Sequence, residues 1–211
     1  MMTLYLYACK NTDDNIVCNR LKNFVEFDFD RAKRIGPFTG IDYFGDGSFY
    51  LIDAPGHSQG HICGLVRTTS NPDTFILLGA DACHHNGEFR PSEYRPLPEI
   101  CCSGFHAYLG SIGRNAQTPF FSIPQDAQSK GSTHDLEAAL ETVHKVQDMD
   151  GYDNLLVLMA HDASILGHVE FFPKPLNDWH QRDLAEKGRW NFLQDFRAVL
   201  PQAEQEQYSK A

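Results

Sequence analysis

The residues best suited to chemistry stand at the ends of three apolar segments. His57 follows residues 49–54, within Pro55-Gly56-His57-Ser58-Gln59-Gly60-His61. Asp81 follows residues 74–80, and His161 follows residues 155–159. Imidazole nitrogen and carboxylate oxygen are the usual donors of catalytic zinc sites. Singly, each residue has an ordinary reading: a histidine in a turn, or an aspartate at a helix start. Together they deliver His, Asp and His to one rim from separate strand ends, which is the pattern of a metal centre. Gly56 and Gly60 free the 55–61 backbone for a tight turn that aims His57 inward.

These side chains converge only if the apolar segments lie in one layered sheet. Residues 49–54 read as a buried strand between Gly45-Asp46-Gly47 and Pro55-Gly56. Residues 61–68 and 74–80 read as two more, joined through Asn71-Pro72-Asp73, so an antiparallel meander is predicted. Residues 155–159 predict a further strand. Leu136, Ala139, Leu140, Val143 and Val146 recur at helical spacing, with Ser132 or Thr133 as N-cap and Gly151 as the stop. Phe192, Phe196 and Val199 lie along a final helix, and the tail after Pro201 is expected to fray. The stretch 86–131 is rich in Pro, Gly and Ser and reads as a functional or peripheral loop. Phe89, Phe105, Tyr108, Phe120 and Phe121 would wall a pocket there or simply pack. The class is α/β or α+β, with residues 1–35 a poorly defined arm, 36–200 the domain and 201–211 a polar tail.

A length of 211 residues corresponds to about one domain. Eighteen basic against 28 acidic residues give a net charge of −10, the wrong sign for nucleic acid or an anionic membrane surface. No apolar run reaches the ~18 residues of a membrane span. Six cysteines, with Cys101 and Cys102 adjacent and no CxxC pair, suit reduced thiols and a cytoplasmic location. A thiol nucleophile, Cys83 with His84 or His85 as base, is a competing reading. Adjacent residues at a strand end point to different faces, however, and no third group orients the base.

The 55–61 segment resembles the third metal motif of the metallo-β-lactamase superfamily. Gly79-Ala80-Asp81-Ala82 resembles its fourth and Ala160-His161-Asp162 its fifth, in the same order and with strands between. The runs Asp42 to Tyr50 and Cys83 to Pro91, with Phe171-Phe172-Pro173 and Asn177-Asp178-Trp179, are similar to fungal members. The resemblance implies an αββα sandwich with two zinc ions at one edge: His57 on the first, Asp81 bridging both, His161 on the second. It implies hydrolysis of a small-molecule carbonyl substrate (ester, thioester, lactone or lactam) by metal-activated water. His84 stands where lactone-hydrolysing relatives carry a tyrosine that assists the carbonyl oxygen. It would serve as that donor beside Asp81, or face solvent near the site. His61 would support the turn.

The family's earlier His-x-His-x-Asp-His motif has no counterpart here, because no histidine precedes His57. Three donors then serve two metals, where a catalytic zinc has three protein ligands of its own. Partial or no zinc occupancy, and weak or absent turnover, are expected. The family's first half would also be largely missing. The incomplete sandwich would then expose a sheet face and invite self-association. Two expectations follow: a truncated zinc hydrolase, or a degenerate paralogue that pairs with a full-length relative.

Overall fold

The computed structural model describes residues 27–99, 103–124 and 133–206. Most of the expected arm, the possible cap Ser132, and Cys9, Cys18, Cys101 and Cys102 lie outside the described residues. Strands β1 (Lys33–Ile35), β2 (Phe38–Asp42), β3 (Phe49–Asp53), β4 (Ile62–Ser70) and β5 (Asp73–Leu78) form the meander, each antiparallel to the next. Strand β6 (Leu155–Leu158) pairs with β5 in parallel, giving a six-stranded mixed sheet in sequence order. Antiparallel neighbours need only turns. A parallel partner needs a long crossover, and here it contains helices α1 (Ser103–Ser111) and α2 (Leu136–Asp150). Helices α3 (Leu184–Gly188) and α4 (Gln202–Gln205) follow β6. The chain is an α/β fold, as its alternation of segments predicts.

Strand alternation decides what each face of the sheet meets. Ile52, Cys63, Leu65, Leu77, Leu155 and Val157 point at Ala139, Val143, Val146 and Met149 of α2 and form the main core with them. Fully burying each of the Val, Leu, Ile and Met side chains among them is worth about 1.5–3 kcal/mol. On the opposite face Trp179 and Leu184 cover Ile76 and Leu156. Towards β3, Phe49, Leu51, Ile62, Gly64, Leu78 and Leu158 line an apolar trough of about 380 Å³, in which Leu78 is 43% exposed and Leu51 is buried.

Several local expectations need correction. The N-cap of α2 is Asp135, not Ser132 or Thr133: its carboxylate accepts from the Ala138 amide at 3.1 Å. The 86–131 stretch contains helix α1, whose signal is only Phe105 and Leu109, one turn apart and both fully buried. They pack with Leu97, Phe120, Phe192 and Leu193 in a second core, so Phe105 and Phe120 are packing residues. Residues Asn191–Val199 wind as a 3-10 helix rather than an α-helix, and Gln202–Gln205 stay helical beyond Pro201. Lys33–Ile35, at the end of the expected arm, join the sheet.

Candidate metal centre

Asp81 and His161 meet because β5 and β6 run in parallel and end level. The Gly79 amide donates to Leu158 O at 2.8 Å, and the Ala160 amide donates to Ala80 O at 3.0 Å. A Cβ at residue 79 would stand 2.3 Å from Met159 Sδ, so the end of that flexible side chain would have to swing aside to admit one. Ala80 takes a left-handed conformation, φ +46°. That costs a non-glycine residue about 1–2 kcal/mol and turns Asp81 out of the strand line. Asp81 Oδ1 then lies 2.9 Å from His161 Nε2.

His57 reaches the same carboxylate from the other side. Its turn is moored on the start of α2. The His134 and Asp135 amides donate to Gly56 O at 3.0 and 2.9 Å, and Thr142 Oγ1 donates to Pro55 O at 2.7 Å. Gly56 has φ +125°, and a Cβ there would meet the Ala139 amide nitrogen at 2.2 Å. So moored, His57 holds Nε2 at 3.9 Å from Asp81 Oδ2. Its buried Nδ1 has no hydrogen-bond partner among the described residues. Burial and the neighbouring His84 push the His57 pKa below the usual histidine value, against the pull of Asp81. The neutral imidazole that a metal requires is thereby favoured.

His61 locks these pieces together. Its Nδ1 is 2.7 Å from Ala54 O and its Nε2 is 3.2 Å from the Asp81 amide. A carbonyl can only accept and an amide can only donate, so Nδ1 carries the proton and Nε2 accepts. Both nitrogens are engaged by backbone, leaving neither for a metal. His84 lies between the other imidazoles, with ring centroids 4.9 Å from His57 and 5.1 Å from His161. Donor atoms of Asp81, His84 and His161 lie within 4.8 Å of one another. His85 turns elsewhere: its Nδ1 accepts from the Gly87 amide and its Nε2 faces Asp195 at 3.2 Å.

Cys83 is fully buried, and burial pushes its thiol pKa well above the ordinary value. A fully buried thiol has neither the access nor the ionisation of a reactive cysteine. Residue-by-residue reading missed the struts behind the site. Buried Glu88 accepts from the His84 amide at 2.8 Å. Asp162 accepts from the Ser164 amide at 2.9 Å and from Asn86 Nδ2 at 2.7 Å, tying the segments after β5 and β6 together. The spacing of Asp162 and Ser164, an aspartate two residues before the amide it caps, was a readable turn signal.

The donor set fits a divalent metal. Imidazole nitrogen and carboxylate oxygen are zinc donors, and ligand atoms of Asp81, His84 and His161 lie within 4.8 Å of one another. Asp81 offers one oxygen to each side.

Comparisons with known proteins agree with this chemistry. The chain is 43% identical over 183 residues to a metallo-hydrolase, mfmC, of Annulohypoxylon moriforme, covering 83% of this chain and 47% of that protein. It is 38% identical over 189 residues to a gamma-lactamase of Fusarium pseudograminearum, covering 83% of this chain and 45% of the relative. It is also 39% identical over 179 residues to a protein of Penicillium roqueforti named cytochrome P450 monooxygenase mpaDE, of which it covers 20%. The chain thus spans about half or less of the length of the curated relatives it matches. No family model and no solved structure matches it. With His57 and His161 facing the two oxygens of Asp81, the relatives named metallo-hydrolase and gamma-lactamase support the metallo-β-lactamase superfamily for this chain.

Proposed function

We propose that this sequence contributes the metal centre of a zinc-dependent hydrolase acting on small carbonyl compounds, with lactams and lactones the leading class. The observation that carries the reading is the Asp81 carboxylate, one oxygen 2.9 Å from His161 and the other 3.9 Å from His57. His57, Asp81 and His161 would hold the metal. When bound, zinc would supply a water acidic enough to ionise near neutral pH and a Lewis acid for the carbonyl oxygen. The residues of this chain do the positioning. His61 holds the Asp81 amide, the α2 mooring holds the His57 turn, and the paired ends of β5 and β6 keep Asp81 beside His161. The relative named gamma-lactamase supports a cyclic amide as the substrate class.

A second reading, a non-catalytic member that pairs with another polypeptide, is favoured by the apolar trough beside Leu78. One set of samples separates the two. Residues 1–211 and the longest natural form of the protein are assayed for zinc content, γ-lactam and lactone hydrolysis, and mass by light scattering. Hydrolysis that needs zinc and disappears in Asp81→Asn and His161→Ala supports the enzyme. Correctly folded protein that holds no zinc and hydrolyses neither substrate in either form, yet associates through the trough, would replace it with the pairing role.

A further inference from the structure

We infer that His84 is a metal ligand, and that Asp81, His84 and His161 together make a one-metal site within this chain. The inference rests on the metal-centre reading above and deepens it. Donor atoms of the three residues lie within 4.8 Å of one another. Two imidazoles and one carboxylate with a position left open is a donor set of catalytic zinc, and also of non-haem iron(II).

The neighbouring histidines show why the role falls to His84. His61 has both ring nitrogens committed to backbone groups. His85 is committed to the Gly87 amide and Asp195, and its ring packs against Phe121, Phe192 and Phe196. Among the described residues no hydrogen bond engages the His84 ring, which lies between the rings of His57 and His161. Its backbone is nonetheless held firmly. Cys83 before it is fully buried, and its own amide donates to buried Glu88 at 2.8 Å. A side chain with an anchored backbone and uncommitted nitrogens, beside a carboxylate already facing another imidazole, is preorganised for a cation.

Among the described residues, His57 and the second oxygen of Asp81 offer two donors on the far side, one fewer than a catalytic zinc takes from its protein, so one ion is expected in residues 1–211.

The test is zinc titration of residues 1–211 against a chromophoric chelator, with long-range proton–nitrogen spectra of the imidazoles in the zinc-loaded, unmutated chain. The expected result is one ion per chain, with coordination shifts at ring nitrogens of His84 and His161. His84→Ala should weaken zinc by more than about tenfold, the least that loss of even an outer partner costs. Unchanged affinity in His84→Ala, when His161→Ala has lost zinc, overturns the inference and leaves the metal reading intact. An unshifted His84 ring in the loaded chain does the same without relying on a variant. A folded chain that takes up no zinc sinks both.

Discussion

Replacing His61 separates its structural role from any role in holding metal. The ring is 8% exposed and carries two bonds to backbone, 2.7 Å to Ala54 O and 3.2 Å from the Asp81 amide. Phenylalanine keeps the ring's bulk but offers neither a donor nor an acceptor, so one carbonyl and one amide lose their partner. Each buried orphan costs about 1–3 kcal/mol. The Asp81 end is only part-buried and water relieves some of its loss, so His61→Phe should destabilise by about 2–4 kcal/mol. At a urea slope of about 1–3 kcal/mol/M, the unfolding midpoint falls by about 0.7–4 M. Glutamine can donate through its amide nitrogen and accept through its oxygen, so His61→Gln should recover about 1 kcal/mol or more of the loss. Metal-free urea unfolding, followed by zinc titration of whatever remains folded, reads both effects. Zinc should bind less tightly in the phenylalanine variant because Asp81 loses its backbone restraint. A phenylalanine variant as stable as the parent, or a glutamine variant no better than phenylalanine, would refute the clamp.

The mooring of the His57 turn predicts that Gly56→Ala costs more than about 3 kcal/mol, the upper end for a strained dihedral alone, because its Cβ would also meet the Ala139 backbone at 2.2 Å. Thermal unfolding measures this, and a neutral outcome would mean that the turn does not rest on α2. Arg90 and Asp150 form a bidentate pair at 2.8 and 2.5 Å, with side chains only 5% and 2% exposed. Asp150→Asn leaves a buried guanidinium without its counter-charge and should cost about 3–5 kcal/mol. Burial acts to raise the Asp150 pKa, but Arg90, helped by Arg189 and Arg95, outweighs it and holds the carboxyl below its usual range. A depressed folded-state pKa stabilises the fold above the unfolded value of ~3.9 and loses that contribution as pH falls through the folded value. The stability gap between parent and Asp150→Asn should therefore be flat from about pH 5 to 7 and shrink in stronger acid. A gap that widened below about pH 4 would contradict the assignment.

The strands were legible because their apolar runs are bounded by turn residues, and the meeting of His57, Asp81 and His161 because each stands within three residues of the end of such a run. What stayed hidden depends on contacts distant in sequence. Arg90 and Asp150 are 60 positions apart and gave no local pattern. The N-terminus of α2 looked free to begin at Ser132 or Thr133. Its actual cap, Asp135, is fixed by docking, since the same residue's amide is bonded to Gly56 O across the fold. His84 and His85 look equivalent in the sequence. The 3-10 turn Asn86–Glu88 separates their fates: His85 caps it, and Glu88 within it reaches back to the His84 amide. Helix α1 carries too few anchors, in too glycine- and serine-rich a setting, for periodicity to reveal it.

Asp81 emerges as a joint between two independently anchored pieces. His161 reaches it through the parallel pairing of β5 and β6, whereas His57 reaches it through a turn fastened to α2. Loosening the α2 mooring should therefore move His57 and spare the contact with His161, while a change at Gly79 or Met159 should do the reverse. His61 touches both routes, because one of its nitrogens bonds the end of β3 and the other bonds Asp81 itself. A site built this way can keep one half of its donor set in order while the other half is disturbed. Asp81 would then keep its 2.9 Å contact with His161 when the His57 turn is displaced.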